Sequence, residues 1–169
     1  AGLTVAEALA LLRGVRRDGI EPILFEQPVA RDDWAGLRRV GRAGGMAVAA
    51  DESAASPADV AALARTGSVR MINIKLMKSG IAAALDMAAI ARSAGLSLMI
   101  GGLVESRLAM TVSACFAAGL GGFEIADLDT PLFLRADPFR GGLRYRGDHI
   151  DLSDIRAGHG VTPTPGNNP

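Results

Sequence analysis

Short apolar segments alternate with amphipathic ones without a break from residue 5 to residue 129, and this rhythm constrains the fold more than any other feature of the chain. Thr4 can cap a first helix, and Glu7 stands three places later to complete a capping box. That helix is expected to run to about Asp18, with Val5, Leu9, Leu12 and either Val15 or Ile20 facing inward, and to end at Gly19. "PILFE" then reads as a strand, "ARDDWAGLRRVGRAG" as a helix and "MAVAAD" as a strand. A helix capped by Ser56, with Pro57 at its first position, follows. "SVRMINIK", "LSLMIGG" and "FEIADLD" are further strands, separated by the helices "GIAAALDMAAIARSAG" and "ESRLAMTVSACFAAGLGG". Strands that are apolar throughout, with no polar alternation, are buried on both faces and belong to a parallel sheet. The pattern α, four βα units and a last β fits an open doubly wound sheet or a closed barrel. No Gly-x-Gly-x-x-Gly follows the first strand, which argues against a dinucleotide site.

Several of these strands end on a charge. Glu26 ends "ILFE", Asp51 ends "AVAAD" and Lys75 ends "INIK". Each has a plain reading: a solvated strand exit for Glu26, or helix punctuation by Asp51 or Ser53. Lys75 is harder to dismiss, because its neighbours are apolar. Lys78 reads as a solvated residue at the start of the next helix. Asp127 and Asp129 flank Leu128 at the last strand, and a period of two turns both aspartates to one side. Two like charges on one face call for a cation between or above them. Polar residues at the C-terminal ends of successive strands follow the rule for barrel active sites. Glu26 and Asp51 are hard oxygen donors of the kind Mg²⁺ takes. A lysine near such a cation is pushed toward use as a base. The chemistry assembled is proton abstraction beside a carboxylate, with the metal stabilising an enediolate.

Composition narrows the partners. Eighteen Lys and Arg balance eighteen Asp and Glu, so nothing in the charge favours nucleic acid or an acidic membrane surface. One cysteine, Cys115, falls in an apolar helical pattern, where a single buried thiol excludes a disulfide framework and suits the cytoplasm. No apolar run is long enough to cross a bilayer.

After Asp129 the pattern changes. "LRYRGDHIDL" alternates around Gly147–Asp148, which predicts a β-hairpin. The tail "GHGVTPTPGNNP" is rich in Pro, Gly and Asn and is expected to be unstructured. The expected organisation is a barrel segment over 1–135, a hairpin segment over 136–157 and a disordered tail over 158–169.

"FEQPV", "ADES" and "NIKLMKSGI" together resemble the enolase superfamily, in its muconate lactonizing enzyme subgroup. "GGLVES" and "DLD" add a likeness to dipeptide epimerases of the L-Ala-D/L-Glu type. The resemblance covers nearly the whole chain. It implies the C-terminal portion of a (β/α)₇β barrel, with Glu26 and Asp51 as two of three Mg²⁺ ligands. Lys75 would be the acid/base, and Asp127 and Asp129 would grip the α-ammonium group of a dipeptide. Muconate cycloisomerases and o-succinylbenzoate synthases would share Glu26, Asp51 and Lys75, but their substrates carry no ammonium group. The same test sets aside N-succinylamino acid racemases, whose substrate nitrogen is acylated.

A complete barrel takes about 250 residues. The resemblance therefore implies that the first metal ligand, a partner lysine and a capping domain lie outside these 169 residues. Four expectations follow: an incomplete metal site, an isolated chain without activity, association with a second copy or with an N-terminal part, and a hairpin that packs on the capping domain. A non-catalytic half-barrel is the reading from a different class.

Overall fold

The computed structural model describes residues 1–164. Five parallel strands, β1 (Leu24–Glu26), β2 (Ala47–Ala50), β3 (Met71–Ile74), β4 (Ser97–Gly101) and β5 (Phe123–Asp127), form one sheet in the order β1-β2-β3-β4-β5. Spatial order follows chain order with no reversal. A doubly wound sheet reverses at its switch point, so the barrel-type alternative of the two is the one adopted. The strands are shorter than the apolar runs suggested: Pro22 and Ile23 precede β1, and Asp129 lies beyond β5.

The chain divides into two compact units, one of Ala1–Ile74 with Lys78–Met99, the other of Lys75–Met77 with the chain from Ile100 onward. In the first unit, α1 (Val5–Arg17) begins with the expected capping box, Thr4 and Glu7 each satisfying the other's backbone N–H. Ala8 and Leu12 are buried, but Ile20 is 60% exposed, so Val15 rather than Ile20 continues the inward stripe. α1 packs on α2 (Trp34–Gly44), where the Arg16 guanidinium donates to the Gly44 carbonyl at 2.7 Å. α3 (Pro57–Thr66) is capped by Ser56, whose hydroxyl accepts from the Asp59 N–H. α4 (Leu76–Ser93) is not one straight helix. Gly80 sits at φ 74°, ψ 170°, which breaks the helical ladder after a single turn. Leu37, Val40, Val60, Leu63, Ile72 and Ile74 are fully buried, in a core built from strands and helices alike.

The second unit contains α5 (Arg107–Leu120), with Met110 and Thr111 fully buried and Cys115 only half-buried. A 3₁₀ turn, Thr130–Phe133, follows β5. β7 (Arg144–Arg146) and β8 (His149–Asp151) form the expected hairpin, with Arg146 opposite His149 across Gly147–Asp148. The segment expected to be unstructured from residue 158 behaves otherwise. β9 (Val161–Pro163) pairs antiparallel with β6 (Phe139–Gly141), because Val161 is buried and anchors the strand despite its Pro- and Gly-rich surroundings. The rest of that expectation, over 165–169, lies outside the described residues. Among the described residues no helix is long and apolar enough to cross a membrane.

Candidate active site

The register of β1, β2 and β3 sets which side chains share a face. Glu26 pairs with Ala49, and Ala49 pairs with Met71. Paired residues of neighbouring strands point to the same side, and the side alternates along each strand. Two places further on, Asp51 and Asn73 return to the Glu26 side. The contacts agree: the Asn73 amide donates from Nδ2 to Glu26 Oε1 at 2.5 Å. The other face of these strands carries Val48, Ala50, Ile72 and Ile74, all buried.

Asp51 stands one residue past β2 and is 8% exposed. Its carboxylate accepts from Lys78 Nζ at 2.7 Å. The same ammonium reaches the backbone carbonyls of Asp51 at 2.6 Å and of Asn73 at 3.0 Å. The expectation that Lys78 is a solvated helix-start residue is therefore corrected. The break at Gly80 detaches the first turn of α4 from the rest, and Lys78 turns back over the strand ends to meet a buried carboxylate that needs a cation.

Gln27 is the second residue that spacing and composition did not single out. It is 2% exposed and sits at φ 35°, an uncommon region for a side chain with a Cβ. Its amide is fully used. Oε1 accepts from the N–H groups of Asp51 at 3.0 Å and Ser53 at 3.1 Å. Nε2 donates to the Val29 carbonyl at 3.1 Å and the Ser53 hydroxyl at 2.9 Å. One side chain thus ties the turn after β1 to the turn after β2 and fixes the backbone that carries Asp51. A buried glutamine between a strand-ending glutamate and a proline is the signal that marks it.

The second unit holds the other candidates. Lys75 follows β3 directly and is 8% exposed. Asp127 is the last residue of β5. Asp129 lies past the strand, with helical backbone at φ −88°, ψ −2°, so strict strand alternation does not extend to it. Leu128 is buried between two exposed aspartates. Among the described residues neither aspartate carboxylate has a hydrogen-bond or ion-pair partner. Both line a cleft of about 350 Å³ with Tyr145, Asp148 and His149. Tyr145 donates to the Leu128 carbonyl at 2.6 Å, pinning the residue between the two aspartates to the hairpin. Burial pushes its phenol up to about 12, with Arg107 opposing and Asp129 and Asp137 adding to the rise. Glu105, from "GGLVES", is buried and accepts the Leu103 N–H at 2.8 Å, so it shapes its own loop.

Chemically, the first unit presents two hard carboxylates on one side of adjacent strand ends, each held by a donor. They fit a Mg²⁺ site as two of its ligands, with water able to fill other positions. Among the described residues no group of three or more His, Cys, Asp or Glu is gathered that could hold a metal ion. The cleft of the second unit, with three carboxylates, attracts a cationic group.

Residues 1–166 match the model of the family described as enolase C-terminal domain-like. An aromatic dipeptide epimerase from Herpetosiphon aurantiacus is 54% identical over 160 residues, covering 95% of this chain and 45% of that protein. A mandelate racemase/muconate lactonizing enzyme from Roseiflexus sp. superposes with a TM-score of 0.92 at 63% identity, over 96% of this chain and 46% of that one. A dipeptide epimerase from Enterococcus faecalis, solved with Mg and the dipeptide L-Leu-L-Tyr, gives a TM-score of 0.78 at 35% identity over 84% of this chain and 40% of that one. The chain spans less than half the length of each of these relatives. With the unreversed strand order and a match running almost end to end, the chain belongs to the enolase C-terminal domain-like family, and its relatives include dipeptide epimerases.

Proposed function

We propose that this chain supplies part of the active site of a Mg²⁺-dependent dipeptide epimerase. The observation that carries the reading is the pair Glu26 and Asp51, on one side of adjacent strand ends and each braced by a neighbour, Asn73 or Lys78. Bracing of this kind suits carboxylates that must keep one geometry for a metal ion. Bound there, Mg²⁺ would offset the negative charge that builds on the substrate carboxylate as the adjacent C–H loses its proton. Lys75 is the group that takes or returns that proton on one face of the carbon. Asp127 and Asp129 hold the α-ammonium group of the dipeptide, and the lack of a partner for either carboxylate among the described residues supports that role. This feature favours an epimerase over muconate cycloisomerase or o-succinylbenzoate synthase chemistry, whose substrates carry no cation.

The proposal includes a limit on the chain alone. Two carboxylates hold Mg²⁺ weakly, because this ion dehydrates reluctantly and needs near-octahedral oxygen coordination. β1 lies at the edge of the sheet and Ile23 before it is 83% exposed, which supports association with a second copy or with the rest of a longer protein.

The test follows conversion of an L,L-dipeptide to its epimer by NMR, using the intact protein that carries this chain. Lys75→Ala should lower the rate at least about 10²–10⁴-fold, the usual contribution of a general acid–base group, while Mg²⁺ affinity holds. Asp129→Asn should raise KM for the free dipeptide and spare an N-acylated analogue. Normal epimerisation in Lys75→Ala would remove Lys75 from the chemistry, and an equal loss on both substrates would remove Asp129 from ammonium binding.

A further inference from the structure

Asn73 is the only polar residue of β3, between Ile72 and Ile74, and it is 0% exposed. An asparagine there is an odd choice for stability. Its Nδ2 donates to Glu26 Oε1, but its Oδ1 is buried with no hydrogen-bond partner among the described residues. A buried acceptor left unpaired is destabilising, and native proteins retain few of them. Turning the amide over would not help, since Oδ1 would then face the Glu26 carboxylate. Packing, strand propensity and hydrogen-bond satisfaction all favour an apolar residue at 73, and Ile72 and Ile74 show what the strand otherwise prefers. What asparagine alone provides is one neutral donor aimed at one oxygen of Glu26.

We infer that Asn73 is a positioning residue for the metal site: its amide holds the Glu26 carboxylate in one orientation from two strands away. The inference rests on the reading of Glu26 as a Mg²⁺ ligand. Neutrality is part of the design. A lysine or arginine at 73 would fix Glu26 equally well but would repel the cation. The amide orients the oxygen without adding a positive charge of its own. Asp51 is held differently, by the ammonium of Lys78.

The test measures Mg²⁺ binding by calorimetry on the intact protein that carries this chain, together with the melting temperature without metal. The variants are Asn73→Leu, which keeps the volume and removes the amide, Asn73→Ala as a second truncation, and Glu26→Gln. Loss of a group that orients a metal ligand typically weakens affinity about 10–100-fold. Asn73→Leu should therefore weaken Mg²⁺ by that factor with no fall in the metal-free melting temperature, because it also removes the unpaired Oδ1. A merely structural residue would give the opposite pattern, a lower melting temperature and an unchanged Kd. In the Glu26→Gln background, Asn73→Leu should have no further effect on Kd. If Glu26→Gln weakens Mg²⁺ but Asn73→Leu and Asn73→Ala do not, the inference fails while the metal reading stands. If Glu26→Gln leaves Kd unchanged, the metal reading fails and takes the inference with it.

Discussion

Gln27→Ala should be the most damaging single truncation in the turns that follow β1 and β2. The native amide satisfies four groups at a position 2% exposed to solvent. Removing it strands the N–H groups of Asp51 and Ser53, and each buried orphan donor is worth about 1–3 kcal/mol. The Val29 carbonyl also loses its donor, but the Ser53 hydroxyl keeps its own acceptor, the Arg31 carbonyl at 2.5 Å. The space vacated can admit water, which sets the expectation toward the lower half of the range, about 2–4 kcal/mol in all. A typical domain has only about 5–15 kcal/mol to lose. Backbone strain supplies an internal control. Alanine keeps the Cβ that dislikes φ 35°, whereas Gln27→Gly removes it and should recover about 1 kcal/mol, the left-handed penalty less the added entropy of the unfolded chain. Gln27→Glu keeps an acceptor for both N–H groups but loses the two donors. Urea unfolding measures the free energies, and hydrogen exchange of the Asp51 and Ser53 amides locates them. Exchange at both should accelerate in Gln27→Ala and Gln27→Gly but remain slow in Gln27→Glu. An Ala variant within about 0.5 kcal/mol of the parent, with both amides still protected, would refute the role assigned to this side chain.

Gly142→Ala should destabilise by at least about 2 kcal/mol, roughly 4–8 °C in melting temperature. Its Cβ would lie 2.4 Å from Thr111 Oγ1 and 2.5 Å from Val161 Cγ2, at φ 68°. Gly14→Ala, inside α1 with no atom within 4 Å of the new Cβ, should instead stabilise by up to about 1 kcal/mol. The Asp151 carboxyl is held well below its ordinary value of 3.8, first by the Ser153 side chain and backbone N–H and then by Arg144 and Arg146. A depressed value adds stability above the unfolded pKa and loses it as pH falls through the folded one. Amide protection in the β7–β8 hairpin should therefore fall on acidification below about pH 4, and Asp151→Asn should abolish that dependence.

What could be read from the sequence was whatever depends on neighbours in the chain. The capping box of Thr4 and Glu7, the Ser56–Pro57 helix start and the two-residue hairpin loop are local geometry, and each is found in place. Residues whose roles depend on a distant partner were read poorly. Lys78 reads as a solvated helix-start residue, because nothing nearby in sequence reveals that Gly80 breaks the helix or that Asp51 needs a counter-charge. Asn73 and Gln27 were legible in principle. One is an amide inside an all-apolar strand and the other an amide between a strand end and a proline, and both needed a reason for burial. Val161 went unnoticed because the turn-forming residues around it dominate the composition of the tail.

The acidic groups of the proposed site fall into two physical kinds, and the difference bears on how the chemistry would be divided. Glu26 and Asp51 are anchored from the protein side, by an amide and by an ammonium. An anchored carboxylate has little orientational entropy left to lose, so an ion that prefers one octahedral geometry can be met without rearrangement. The carboxylates of Asp127 and Asp129 accept nothing from the described residues, and both residues are exposed at the end of β5. Held only through their backbone, pinned at Leu128 by Tyr145, they can adjust to a flexible ammonium group that offers three rotatable donors. Strong bracing on the metal side and looser support on the substrate side is the arrangement expected if the ion stays through many turnovers while the dipeptide comes and goes. That division predicts unequal sensitivity. Removing a brace at Glu26 or Asp51 should change metal affinity, with substrate affinity following only through the metal. Asp127→Asn or Asp129→Asn should change KM for amine-bearing substrates with the Mg²⁺ Kd unmoved. Calorimetric titration of Mg²⁺ into each variant, set beside KM from the epimerisation assay, separates the two, and a substrate-side variant that weakens Mg²⁺ as much as Glu26→Gln would contradict it.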